Sequence, residues 1–166
     1  MEILYNQKCG GGGERSRALR HPPIHTRMRV VLKDAGSFVL RFDAKEEVLE
    51  ELKNFCEKKQ FSAAWFSAIG AASEVTIAFW NPRTKAYEER TMTEPLEIVS
   101  LTGNVSSLNG HIALHAHGSF ADYGHRTWGG HASRVVVSAT CELLLTPLAG
   151  TLKRSPDLDT RLNLLH

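Results

Sequence analysis

The chain has 166 residues, of which 42% are hydrophobic and 23% charged, and its formal net charge is +2. This composition is typical of a single globular domain. Three cysteines without a C-x-x-C pair argue against a disulfide framework and against a cysteine-based zinc site. No apolar run approaches the roughly 20 residues of a membrane span, and the sequence contains no P-loop, G-x-S-x-G or dinucleotide-binding fingerprint.

The positive charge is concentrated at the amino terminus. Residues 1–27 hold five basic and two acidic residues (+3), whereas the rest of the chain holds 15 basic and 16 acidic residues (−1). A body without net positive charge lacks the electrostatic footprint that phosphate binding favours. Direct binding of nucleic acid is therefore doubtful.

Residues 1–27 are predicted to be a disordered or loosely attached tail, followed by a single domain over residues 28–166. The tail contains a four-glycine run, two prolines and no apolar periodicity, so it offers little to bury. Met28 opens the patterned region and is a candidate start of the natural protein. The amino terminus lacks the apolar core of a secretory signal, and together with the unpaired cysteines this predicts a cytoplasmic protein.

A strand over residues 37–42 is followed by the clearest helical pattern in the chain, over residues 44–59. Asp43 is the expected N-cap residue, and Glu46 stands three residues later, as in a capping box. Apolar residues then recur at helical spacing. We expect an amphipathic helix that covers one face of a sheet.

Strand patterns dominate the remainder of the chain. The predicted strands occupy residues 62–70, 73–80, 86–92, 96–106, 111–120 and 133–145. Asn109-Gly110 is a strong hairpin signal, and a loop of about twelve residues precedes the last strand. The sequence predicts one helix with about seven mainly antiparallel strands. A single helix can cover only one side of such a sheet, so oligomerisation is expected.

The stretch "LHAHGSFADYGHRTWGGH" (114–131) holds four of the eight histidines. Alternate residues of a strand share a face, so His115 and His117 project together from the side opposite Leu114. Two imidazoles at this spacing can bind one metal ion. The third ligand would be His131, brought back by a loop hinged at the preceding double glycine, or alternatively His125.

Two further interpretations remain open. The histidines can be ordinary polar residues of a solvated strand and loop. Alternatively, a three-histidine zinc site leaves a position for metal-bound water, as in a zinc-dependent enzyme. A carboxylate would then act as general base, and Asp122 is a better candidate than Glu97 because it lies between the two histidine segments. Trp128 could form a wall of the site.

Six segments in this order and spacing resemble the plants-and-prokaryotes conserved (PPC) domain over about residues 36–163. They are "VLRFD", the amphipathic helix, "AIGAASEVTIAFW", "EPLEIVSLTGNVS", "LHAH" and "GGH". The resemblance implies an α/β (α+β) fold, a strongly bent, mainly antiparallel β-sheet with one main helix, assembled as a homotrimer. It also implies a metal site at His115, His117 and His131.

The chain is similar to the prokaryotic stand-alone type of this domain, because it has no R-G-R-P sequence of the kind that forms the AT-hook of plant members. We expect a homotrimer that binds a divalent metal, preferably zinc, and acts as a regulatory or ligand-binding module, with a small molecule as a possible ligand at the metal. The alternative is a zinc-dependent enzyme. A DNA-binding role is less favoured, and no membrane association is expected.

Overall fold

A computed structural model describes residues 28–166. The expectation for residues 1–27 lies outside the described residues. The elements are β1 (Arg29–Asp34), β2 (Ser37–Asp43), α1 (Val48–Lys59), β3 (Ala64–Asn81), β4 (Ala86–Met92), β5 (Leu96–Leu108), β6 (His111–Ala121), β7 (Thr127–Pro147), β8 (Lys153–Pro156) and β9 (Asn163–Leu165).

All nine strands belong to one sheet, in which every pairing is antiparallel except that of β5 with β8. Strand β3 pairs with β5 and β7, and β6 pairs with the same two strands, so these four strands close into a ring. A sheet must bend strongly to close in this way. The predicted mainly antiparallel, bent sheet with one helix is confirmed.

Helix α1 begins four residues later than the sequence pattern indicated. Glu47 is the N-cap residue, and its carboxylate accepts hydrogen bonds from the backbone N–H groups of Leu49 (3.2 Å) and Glu50 (2.6 Å). The prediction that Asp43 caps the helix is wrong. The Asp43 carboxylate is instead paired with the guanidinium groups of Arg29 (2.9 Å) and Arg41 (2.7 Å), so it is not available to the helix.

The two strands predicted at residues 62–70 and 73–80 are one continuous strand, β3. The register slips beside Gly70, which has φ +154°, and a Cβ at that position would collide with the Thr140 carbonyl oxygen. Only glycine tolerates this close approach in this conformation. Gly70 therefore bends the strand without ending it.

The apolar core lies between α1 and the sheet, with α1 packed on β6 and β7. Phe42, Leu52, Phe66, Phe120 and Leu143 are among its fully buried side chains. In the described part of the chain, no helix combines the length and the hydropathy that a membrane-spanning segment needs.

Candidate metal centre

The structure brings three of the predicted site histidines together. His115 and His117 lie on β6 and His131 on β7, and one ring nitrogen from each lies within 4.8 Å of the others. The ring centroids are separated by 5.1 Å (His115–His117), 5.2 Å (His115–His131) and 5.5 Å (His117–His131). His117 is exposed, and the other two are half-buried.

Strand register, and not a hinged loop, positions His131. Strand β7 begins at Thr127, six residues earlier than predicted, and His131 pairs directly with His117 across the two strands. The prediction of a long glycine-hinged loop is therefore wrong. Gly129 and Gly130 are needed for space: a Cβ on Gly129 would lie 2.9 Å from the Gly118 carbonyl oxygen, and a Cβ on Gly130 would lie 2.7 Å from that of Ala78.

Burial keeps two of the imidazoles in the neutral form. Burial, aided by the charge of Arg154 and by the neighbouring histidines, lowers the pKa of His115 to about 4. The pKa of His131 is also lowered, first by burial and then by His117 and Arg154, with Glu89 acting in the opposite direction. At neutral pH both rings therefore carry a free lone pair, the form in which histidine binds metals.

The residues fit a divalent metal ion. The Nδ1 atom of His131 is buried and has no hydrogen-bond partner among residues 28–166. A buried polar atom without a partner is unfavourable unless it has another function. Three imidazoles suit zinc and related borderline metals and leave one coordination position for a ligand.

Beside the histidines lies a cavity of about 540 Å³. Its walls include His115 and His131, and also Trp80 and Tyr87 from the β3–β4 hairpin. The Tyr87 ring lies 5.0 Å from the ring of His131 and 5.0 Å from that of Trp80. Residues 161–164 of the carboxy-terminal segment also line the cavity. The candidate centre is therefore open to a small molecule.

Sequence reasoning did not find Arg154, which lies on β8 and lines this cavity. Its guanidinium donates hydrogen bonds to Ser106 Oγ (2.8 Å), Asn104 Oδ1 (2.9 Å) and the Asn163 carbonyl oxygen (2.7 Å). Asn104 pairs with His115 across β5 and β6, so Arg154 is held next to the histidines.

The carboxylate candidates lie elsewhere. Asp122 is five residues from His117, roughly 16 Å along an extended chain. Its buried carboxylate accepts hydrogen bonds from the backbone N–H (3.0 Å) and Nε (2.8 Å) of Arg126. Burial raises its pKa, but the hydrogen bonds and charge of Arg126 outweigh this, so the net shift is downward. Asp122 fixes the β6–β7 loop, and no contact joins it to the histidines.

His125 and Trp128 are also separate from the three histidines. His125, with φ +61°, lines a second cavity together with Asp122 and the exposed Glu97. Trp128 pairs with Phe120 and lies under the Arg90 guanidinium, 4.0 Å from the ring centroid. Strand alternation therefore places Trp128 on the opposite face from His131, and the expectation that it forms a wall of the site is wrong.

The sequence model of the Plants and Prokaryotes Conserved (PCC) domain matches residues 31–149. The chain belongs to this family. The predicted resemblance to the PPC domain is thus confirmed. We keep the abbreviation PPC for this family. The match spans all of the strands that carry the three histidines and ends before Arg154.

Known structures agree with this assignment. A metal-containing protein of Archaeoglobus fulgidus is 32% identical, with a TM-score of 0.75 over 83% of this chain and 98% of that one. A suggested DNA-binding protein of Bacteroides thetaiotaomicron is 28% identical, with a TM-score of 0.81 over 85% and 98% of the two chains.

A curated relative, the bifunctional protein GlmU of Synechococcus sp. (strain JA-3-3Ab), is 29% identical over 132 residues. These residues are 78% of this chain, but the match spans only 20% of the relative's length.

Proposed function

We propose that this PPC-domain protein is a homotrimeric module that holds a divalent metal, zinc by preference, on His115, His117 and His131, and exposes the metal to a small-molecule ligand. The observation that carries the proposal is the convergence of the three ring nitrogens within 4.8 Å. The proposed role of the module is regulatory or ligand-binding. The similarity to a metal-containing protein of A. fulgidus supports metal binding.

The side chains around the cluster favour binding over hydrolysis. A bound zinc ion would supply Lewis acidity at its open coordination position. A hydrolytic centre also needs a base within hydrogen-bonding reach. The candidate base Asp122 is occupied by Arg126, and, within residues 28–166, no acidic side chain lines the cavity beside the histidines. Glu89, whose charge raises the pKa of His131, is exposed and lies outside that cavity. A zinc-dependent enzyme is therefore the second candidate.

An apolar outer surface supports the trimer. Trp65 and Ile69 on β3, Val99 on β5 and Leu144 on β7 are 50%, 59%, 54% and 46% exposed. Ile69, Val99 and Leu144 line one shallow cavity on this face. Large exposed apolar patches are typical of protein interfaces. Light scattering should give a mass near 55 kDa, three times the chain mass of 18.4 kDa, and a mass near 18 kDa would refute the trimer.

We propose that the protein is cytoplasmic and that its function does not require binding to DNA. The buried Cys56 and Cys141 are unpaired, as is usual in a reducing compartment. The similarity to a suggested DNA-binding protein raises DNA as a partner, but the net charge of −1 over residues 28–166 opposes it.

Elemental analysis of untagged protein tests the metal site. The full-length chain should retain close to one equivalent of zinc per chain after dialysis against metal-free buffer. The triple variant His115→Ala, His117→Ala, His131→Ala should retain none. The control variant His111→Ala, His125→Ala also removes histidines from the same region and should retain the metal. Equal metal contents in both variants would refute the site.

A further inference from the structure

The cavity beside the histidines is strongly basic. Three cationic side chains line it, those of Lys85, Arg154 and Arg161, and none of the described acidic side chains does. The Lys85 ammonium donates a hydrogen bond to the Asp159 carbonyl oxygen (2.6 Å), which ties the carboxy-terminal segment to the β3–β4 hairpin. A metal ion on the histidines would add further positive charge. Such a cavity is complementary to an anion.

Arg154 is the cation that the fold fixes most firmly in this cavity. Unlike Arg29, Arg41, Arg126 and Arg134, it has no carboxylate partner among residues 28–166. Its three hydrogen-bond acceptors are neutral oxygens of Asn104, Ser106 and Asn163, and burial lowers its pKa. A half-buried guanidinium without a counter-charge is costly. The charge is therefore available for a ligand.

The geometry leaves Arg154 able to donate further. A guanidinium has five N–H groups, and three hydrogen bonds are formed within the protein. Two N–H groups remain, one on each terminal nitrogen, and they can be donated to a carboxylate, the planar group that a guanidinium fork matches. Asn104 and Ser106, which fix this fork, lie on the same face of β5 because they are two residues apart. Asn104 is also the strand partner of His115.

We propose that the cavity binds a small organic carboxylate, which accepts hydrogen bonds from Arg154 while it occupies the open position of the metal held by His115, His117 and His131. This inference rests on the proposed function. Trp80, Tyr87, Leu108 and Leu162 give the rest of the cavity aromatic and aliphatic walls, which suit the carbon skeleton of an organic acid better than the all-oxygen surface of inorganic phosphate. Arg154 lies outside the residues matched by the family, 31–149.

The test uses the full-length chain loaded with Co²⁺, whose visible spectrum reports changes in its ligands. Titration with succinate should change the spectrum and reach saturation. Arg154→Gln should weaken succinate binding roughly 10- to 100-fold, the scale of a lost charged hydrogen bond. The matched control Lys153→Gln removes one positive charge from the exposed neighbouring position of β8, and it should bind succinate as the unmodified protein does.

A second measurement separates ligand binding from a purely structural role of Arg154. In buffer free of carboxylates, Arg154→Gln should bind Co²⁺ at least as tightly as the unmodified protein, because the substitution removes a cation beside His115. If Arg154→Gln fails to fold, Arg154→Lys keeps the charge but loses the fork, and it should still weaken succinate binding several-fold.

Three results would overturn the inference while leaving the metal site in place. Succinate could leave the Co²⁺ spectrum unchanged, or it could bind equally to the protein and to Arg154→Gln; in both cases the metal site would stand. Inorganic phosphate could bind more tightly than succinate with the same dependence on Arg154, which would refute the assignment of the ligand as a carboxylate. Failure to take up Co²⁺ at all would instead refute the proposed function, and the metal-bridged ligand with it.

Discussion

Replacing Gly130 by alanine should weaken metal binding without changing any ligand. The new Cβ would lie 2.7 Å from the Ala78 carbonyl oxygen, whereas ordinary contact begins at 3.4 Å. The difference, 3.4 − 2.7, requires the two strands to separate by about 0.7 Å. The opposing atom belongs to the backbone, so no side-chain rotation can relieve the contact.

This displacement occurs at the point where it affects the site most. Ala78 is the strand partner of His131, so the movement of β7 shifts His131 relative to the two histidines of β6. Metal sites tolerate deviations of about 0.2 Å in ligand distance, and loss of outer support commonly costs about 10- to 100-fold in metal affinity. Gly130→Ala should lose zinc affinity on this scale and about 1–3 kcal/mol of stability from overpacking.

Competition with a chromophoric chelator measures the zinc affinity, and urea unfolding measures the stability. Gly110→Ala is the matched control: Gly110 has φ +82° in the β5–β6 turn, and a Cβ added there would meet nothing within 4 Å. The control should lose about 1–2 kcal/mol of stability from backbone strain and retain its zinc affinity. An unchanged zinc affinity in folded Gly130→Ala would show that the close approach of β7 to β3 does not position His131.

The remaining predictions concern the two histidine segments and the loop between them. His131→Ala should abolish stoichiometric zinc retention in elemental analysis and His125→Ala should not; the reverse result would move the third ligand to the loop. The metal-free protein should lose stability as the pH falls from about 6.5 towards 4, because the unfolded chain protonates His115 before the folded protein does, and the total loss is at most about 3 kcal/mol. Urea unfolding at pH 7 and pH 4.5 measures this loss, and because His131 and other groups with shifted pKa values also contribute, a pH dependence equally large in His115→Gln would refute the assignment to His115. Asp122→Asn should lower the thermal unfolding midpoint, because it weakens the ion pair with Arg126, and it should leave the zinc content unchanged. Loss of zinc in this variant would show that Asp122 contributes to the metal site.

Local patterns predicted the β5–β6 hairpin well. A two-residue turn at Asn109-Gly110 pairs Leu108 with His111, and the register then continues one residue at a time along most of the hairpin. Counting back from the turn places Asn104 opposite His115. The sequence therefore contained one signal that Asn104 supports the site, namely its position opposite His115 on the histidine face.

Long-range pairing was beyond the sequence patterns. The double glycine before His131 is compatible with a flexible loop and with a crowded strand, and only the positions of Ala78 and Gly118 distinguish the two. Similarly, Arg154 follows a polar segment without clear alternation, and its contacts with Asn104 and Ser106 span about 50 residues of chain. Helix α1 could be predicted because its apolar spacing is a local pattern. Its first residue could not, because it depends on the ion pairs of the Asp43 carboxylate with arginines from β1 and β2.

The central position of β7 affects how the newly made chain can fold. Strand β7 lies between β2 and β3 in the sheet, although it is synthesised more than 40 residues after β3 ends. Until it emerges, β2 lacks the partner on its inner edge, and β3 lacks the strand that pairs along nearly its whole length. Such non-local pairing slows folding and leaves strand edges exposed to other chains. Truncation before residue 127 should therefore yield an aggregating product and not a smaller stable domain.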